Sequence, residues 1–223
     1  MRPAPERLER MTGGASPWLW LADIGPAAQP DWFEQHRAWL SASEQARLQR
    51  IVRAERRDQL MAGHILLRRL VAARTGVAPR EVDVCSQPDG RVELIAPPGW
   101  QPSLAHSKQW VAALLERGQT GTGVDIERMQ PDRQIQTIVK LVCSIEAESV
   151  EQAYLAWAQR EAELKAGPDA AGTWVATWAG NALAVCASAP PAVAQVDLAA
   201  AARARALDLA WIRKPRLSAG HGS

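Results

Sequence analysis

Gly123-Val124-Asp125-Ile126-Glu127 alternates apolar and acidic residues after its glycine. Side chains on a strand have a period of two, so Val124 and Ile126 share one face and Asp125 and Glu127 the other. Adjacent carboxylates repel unless a cation neutralises them, and Mg²⁺ takes one or two carboxylates together with phosphate oxygens and water. The pentapeptide suits a metal-phosphate site, and it equally suits an edge strand with a solvated acidic face. Further on, Trp157-Ala158-Gln159-Arg160-Glu161-Ala162-Glu163-Leu164-Lys165 reads as helix, on which Trp157, Glu161 and Lys165 fall along one face at i, i+4 and i+8. A carboxylate there can join the metal site, with an ammonium beside a phosphate. By itself the pair is also an ordinary surface ion pair of about 0.3–0.5 kcal/mol, with Trp157 in the core.

Upstream, residues 18–21 read as a strand, and Ser41-Ala42-Ser43-Glu44 has the spacing of a capping box that starts a helix. A helix is expected over 57–74, where Leu60, His64, Leu67 and Val71 recur on one face, ended by Gly76 and Pro79. Strands are expected at 82–85, 92–95, 110–115 and 123–127, separated by turns at Pro88-Asp89-Gly90 and Pro97-Pro98-Gly99. After Pro131 an amphipathic helix over 144–165 stops at Gly167-Pro168, and a hairpin follows over 174–178 and 182–187 around Gly180-Asn181. The Ala/Arg-rich 199–209 predicts a last helix, with Arg213-Lys214-Pro215-Arg216 and the Gly/Ser end frayed.

The 223 residues carry 26 basic and 24 acidic side chains, a formal charge of +2, and 47% fall in the hydrophobic set. That supports one large domain or two small ones, and the charge is too small to call for nucleic acid or an anionic membrane. The ten tryptophans are scattered without interleaved basic residues, so they read as packing residues rather than a base-stacking platform. The opening Met1-Arg2-Pro3-Ala4-Pro5-Glu6-Arg7 lacks the apolar run of a secretory signal. The apolar 182–196 is broken by Pro190 and Pro191 and falls short of the about 20 residues of a membrane span. Cys85, Cys143 and Cys186 are far apart, which argues against zinc or disulfides and for a reducing cytoplasm.

Together and in this order, the two opening stretches resemble the signatures of the 4′-phosphopantetheinyl transferase superfamily, surfactin-synthetase-activator type. These are G-x-D-x-E and W-x-x-K-E-A-x-x-K, the second met here with Arg160 in place of its first lysine. A third family element, Ser-His-Ser before an apolar strand, is similar to Ala105-His106-Ser107 before 110–114, with Ala105 at its first serine. Weaker likenesses are the Arg56-Arg57 helix with Gly63 and Leu66-Leu67-Arg68, the Asp89-Gly90-Arg91 turn and the late strand 183–187. The region after Lys165 is shorter than the family shows.

The resemblance implies an α+β fold made of a pseudo-twofold pair of similar α/β subdomains, each a small antiparallel sheet packed on a helix, with the active site in the cleft between them. Residues 15–121 would form the coenzyme A phosphate-binding side and 122–212 the metal and catalytic side. It implies Mg²⁺-dependent transfer of the phosphopantetheine arm of coenzyme A to a serine of an apo acyl or peptidyl carrier protein. Asp125, Glu127 and Glu161 would hold the metal, Glu161 would take the serine proton, and Lys165 would stabilise the departing 3′,5′-ADP. His106 would meet the 3′-phosphate, with Arg91, Arg53, Arg56 and Arg57 adding charge-assisted contacts and Gly90 serving the turn. An arginine-rich helix is also commonly a solvated face, and a lone histidine structural. A monomer is expected, because one chain contains both sides of the cleft. Two other readings stay open: another Mg²⁺-dependent phosphate or pyrophosphate hydrolase, and a weakened relative that only binds coenzyme A or a carrier, in view of Ala105, Arg160 and the short region after Lys165.

Overall fold

The computed structural model describes residues 16–25, 30–87, 90–118, 120–131, 134–200 and 204–217. Among these the chain is mixed α+β. In order it forms β1 (Trp18–Asp23), α1 (Pro30–Arg37), α2 (Ala42–Arg50), α3 (Ala54–Thr75), β2 (Asp83–Ser86), β3 (Val92–Ala96), β4 (Trp100–Ser107) and β5 (Trp110–Arg117). There follow β6 (Gly123–Arg128), α4 (Ile135–Cys143), α5 (Val150–Ala166), β7 (Thr173–Trp178), β8 (Asn181–Cys186), β9 (Ala192–Val196), β10 (Ala204–Leu207) and β11 (Ile212–Lys214). They make a five-stranded sheet of order β10-β9-β1-β5-β4, a four-stranded sheet of order β11-β7-β8-β6 and the β2-β3 ribbon.

Alternation along β1 and β5 sets the layers. Trp18, Trp20, Val111, Ala113 and Leu115 face one way, where Ile65, Leu66 and Leu70 of α3 close a first core. Leu19, Leu21, Ala112 and Leu114 face the other way and meet Val124, Ile126, Leu183 and Val185 of the second sheet. That sheet's outer face, with Val175, Ala182 and Ala184, receives Tyr154, Ala158 and Ala162 of α5. The order of layers is therefore helix, sheet, sheet, helix. β5 and β8 are covered on both faces, which explains their continuous apolar runs.

Local signals account for most element ends. Ser41 and Glu44 form the capping box of α2, Ser41 N donating to Glu44 Oε2 at 2.6 Å and Glu44 N to Ser41 Oγ at 3.3 Å. α3 ends at Gly76, whose φ of 77° suits a residue without a Cβ.

Four expectations are corrected. Ser144 ends α4 in a left-handed conformation (φ 56°), and α5 starts later, capped by Ser149 Oγ, which accepts from Gln152 N. The 199–209 segment is not a helix where described: 204–207 is β10, paired antiparallel with β9, so tertiary pairing overrides its alanine-rich helix propensity. Residues 212–214 are not frayed but form β11 on the edge of β7. The final hairpin turns at Ala179 and Gly180, both with positive φ, rather than at Gly180-Asn181. Although late in sequence, β9 and β10 belong to the first sheet, because β9 pairs parallel with β1. The expectations for 1–7, for Pro88-Asp89 and for the 218–223 end lie outside the described residues, as does residue 15 at the first boundary. The three cysteines are free. Among the described residues no helix is long and apolar enough to cross a membrane.

Candidate functional site

The site begins with two glycines. A Cβ on Gly123 would lie 1.9 Å from the Ala162 carbonyl oxygen, and one on Gly121 would lie 1.8 Å from that of Ala166. Only glycine lets the α5 backbone press directly on the start of β6. Asp125 and Glu127 follow on the same strand face by the period of two. The close approach brings Lys165 Nζ to 2.8 Å from Asp125 Oδ1 and 2.9 Å from the Val124 carbonyl.

β4 runs beside β6 at the seam between the sheets, joined through hydroxyls. Val124 N donates to Ser103 Oγ at 3.0 Å, Arg128 N to Ser107 Oγ at 2.9 Å, and Thr122 Oγ1 to the Gln101 carbonyl at 3.2 Å. Ser107 Oγ also donates to Glu127 Oε2 at 3.3 Å. Ala105, between the two serines, is buried in the core between the sheets. His106 points away from that seam and meets Arg56 of α3, whose Nη1 lies 2.7 Å from Nδ1.

One cleft of about 480 Å³ gathers these groups. Gly90, Arg91, Arg56 and His106 line it from the first half of the chain, and Asp125, Glu127, Trp157, Glu161 and Lys165 from the second. Arg53 and Arg57 are not part of its lining; both are exposed at the start of α3, where Arg53 is the N-cap. Polar residues of the lining that lie outside every motif include Arg47 on α2, Gln59 on α3, Glu93 on β3 and Ser103 on β4. The capping box that fixes the start of α2 is the one signal from which the position of Arg47 is readable.

The electrostatics divide the cleft. Burial, with the Glu127 and Glu161 charges adding to it and Lys165 opposing it, pushes the Asp125 carboxyl up to about 7. Burial first, then the Arg56 and Lys165 cations, pushes the His106 imidazole down to about 3. Burial and the neighbouring Arg47 likewise lower Arg56. The guanidiniums of Arg47, Arg56 and Arg91 and a neutral imidazole thus mark one part of the cleft for anions, while the carboxylates of Asp125, Glu127 and Glu161 mark the other for a cation.

No protein-family model matches the chain, and no curated protein matches it. The chemistry of the cleft is therefore read from its own side chains. Asp125 Oδ2 is buried without a hydrogen-bond partner, and a buried lone carboxylate oxygen beside two further carboxylates fits a hard divalent cation. Among the described residues no three acidic, histidine or cysteine side chains converge closely enough to chelate a metal unaided. Lys165 takes Asp125 Oδ1 instead. A cation seated here needs ligand oxygens beyond the protein, as Mg²⁺ does when it binds through phosphates and water.

Beneath the cleft, Glu44 is enclosed between α2 and α3. It accepts from Arg68 Nη2 at 2.6 Å and Nη1 at 2.9 Å and pairs with His64 Nδ1. Burial raises the Glu44 carboxyl, but the hydrogen bonds and charges of His64 and Arg68 outweigh it and hold the carboxyl down at about 2. This network fixes α2, and with it Arg47, against α3.

Proposed function

We propose that the protein is a Mg²⁺-dependent 4′-phosphopantetheinyl transferase that moves the phosphopantetheine arm of coenzyme A to a serine of an apo acyl or peptidyl carrier protein. The observation that carries this reading is the meeting, in one cleft, of an acidic group from β6 and α5 with the guanidiniums of Arg47 on α2, Arg56 on α3 and Arg91 before β3, beside the neutral His106 of β4. A pyrophosphate with a separate phosphate monoester needs both. The fold reading that accompanies it is a pseudo-twofold pair. β1, α3, β4 and β5 repeat the plan of β6, α5, β7 and β8, in which a first strand pairs antiparallel with the second strand of a later hairpin.

In this mechanism Arg47, Arg56, Arg91 and His106 bind the nucleotide phosphates, and charge-assisted hydrogen bonds orient them. Asp125, Glu127 and Glu161 would hold Mg²⁺, which would supply positive charge against the pyrophosphate. The carrier serine oxygen attacks the phosphorus that bears the pantetheine, the bond from that phosphorus to 3′,5′-ADP breaks, and the serine proton passes to Glu161. Lys165 turns from Asp125 to the leaving phosphate, where negative charge develops.

The test is incubation with coenzyme A, Mg²⁺ and a panel of apo carrier proteins, read by intact mass. Gain of one phosphopantetheine on a carrier supports the transferase. Coenzyme A binding without transfer assigns the chain to a binding role, and release of 3′,5′-ADP without a carrier product assigns it to hydrolysis.

A further inference from the structure

Helix α5 has two working faces. Trp157, Glu161 and Lys165 line the cleft, whereas Gln159 and Glu163 are buried elsewhere, at 4% and 7% exposure. A buried carboxylate persists only with partners, and Glu163 has three. Its Oε1 accepts from Thr173 Oγ1 and Gln159 Nε2, both at 2.9 Å, and its Oε2 accepts from the Leu217 backbone N at 3.0 Å. The last comes from the segment that follows β11. The same segment offers the Pro215 carbonyl to Gln159 Nε2 at 2.7 Å. Arg216 donates through Nη1 to the Pro168 carbonyl at 2.5 Å and through Nη2 to that of Gly167 at 2.8 Å.

Gly167 is the C-cap of α5, so Arg216 places its charge where the unpaired carbonyls and negative dipole end of the helix favour a cation. Lys165 lies in that last turn, the part of a helix that frays first. The contact of Gly121 and Gly123 with Ala162 and Ala166 is backbone on backbone, and the side chain that ties it on the cleft side, Lys165 on Asp125 and the Val124 carbonyl, is itself one the reaction calls on.

We infer that residues 215–217 form a clasp that holds the end of α5 on the β11-β7 side of the second sheet, with Glu163 and Arg216 as positioning residues for Glu161 and Lys165. The effect on turnover rests on the transferase reading; the hold on α5 does not.

The experiment uses the full chain with Arg216→Ala, Arg216→Lys and Glu163→Gln. It reads amide hydrogen exchange at 164–167, and kcat and KM for coenzyme A with an apo carrier and Mg²⁺. Arg216→Ala is expected to speed exchange at the end of α5 by about tenfold and leave β5 and β8 unchanged. It should lower kcat by on the order of tenfold with KM within about twofold, the signature of misplaced catalytic groups. Arg216→Lys keeps one donor and restores part of both, and Glu163→Gln follows Arg216→Ala. Because Arg216 is exposed, its variants decide the matter if Glu163→Gln does not fold. Unchanged exchange at 164–167 in Arg216→Ala overturns the clasp, and faster exchange with unchanged kcat overturns the positioning role of Arg216 and Glu163. A wild-type chain that neither binds coenzyme A nor transfers from it overturns the transferase reading, and the exchange data alone then judge the clasp.

Discussion

Lys165 Nζ sits 2.8 Å from Asp125 Oδ1, so an ammonium from the last turn of α5 occupies one oxygen of a β6 carboxylate whose other oxygen is buried without a partner. The pairing is incomplete compensation. Burial and the Glu127 and Glu161 charges still leave the Asp125 carboxyl at about 7. A carboxyl raised in this way stabilises the fold fully below its unfolded value, about 4, and loses that contribution as the pH rises through about 7. Asp125→Asn is therefore expected to melt higher than wild type at pH 8, by on the order of 2–4 kcal/mol, and to match it below pH 4. The same variant should lose transfer. Thermal denaturation at the two pH values checks the first part, and a lower melting temperature at pH 8 would show that Lys165 needs Asp125 more than Asp125 resists ionisation.

Lys165→Ala is expected to lower kcat by about 10²–10³ with a smaller effect on KM, as for removal of one preorganised donor. Arginine should rescue only in part, since a planar guanidinium keeps the charge without the compact geometry. Steady-state kinetics with coenzyme A decide this. A variant with altered stability and full turnover would leave Lys165 as a structural partner of Asp125.

Gly123→Ala tests the contact that builds the site. Its Cβ would fall 1.9 Å from the Ala162 carbonyl oxygen and 2.9 Å from Ala166 N, both backbone atoms that cannot rotate away. α5 must shift, which is expected to cost at least about 2 kcal/mol and to remove most turnover. Chemical denaturation and kinetics of the same preparation check it, and a stable, active variant would mean that β6 and α5 slide without consequence.

The sequence discloses the carboxylate face of β6 and the cleft face of α5 because both depend on local period, two for the strand and close to four for the helix. The capping box at Ser41 is legible for the same reason. What is not legible depends on pairing across long separations. The 204–207 segment has helical composition, but β9 offers it an open edge. Lys165 has its ligand on a strand 40 residues away in sequence. Arg47 belongs to no motif and reaches the cleft only because the Glu44 network binds α2 to α3. Gly123 is a letter of a motif in the sequence, whereas its steric role appears only once α5 lies on β6.

Glu44 predicts acid lability. Its carboxyl is held at about 2, against an ordinary 4.5, by the hydrogen bonds and charges of His64 and Arg68 acting against burial. A depressed carboxylate stabilises the fold above its unfolded value and loses that contribution as the pH falls toward its folded one, here between about 4.5 and about 2. Wild type should weaken across that window. Glu44→Gln should start about 3–5 kcal/mol less stable at pH 7, because Arg68 is left buried without its counter-charge, and should depend less on pH in the acid range. Urea titrations from pH 7 to pH 2 give both quantities, and equal acid slopes for the two proteins would remove Glu44 as the source.

His106 provides the last test, one that separates a phosphate contact from a structural histidine. Burial, Arg56 and Lys165 hold its imidazole at about 3, so it is neutral in the free protein at every ordinary working pH. A phosphate dianion placed against it adds negative charge beside the ring and offsets the two cations, and each of these effects favours the protonated form. Coenzyme A should therefore raise the His106 pKa, and by linkage its affinity should gain from protonation of His106 as the pH falls through the new value toward about 3. Dephospho-coenzyme A lacks the 3′-phosphate and should move it less. Nuclear magnetic resonance titration of the His106 ring, free and with each ligand, reads this directly, and His106→Ala should weaken coenzyme A more than dephospho-coenzyme A. A free-protein pKa near 6.5, or equal shifts with the two ligands, would take His106 out of the phosphate site and leave its contact with Arg56 as packing.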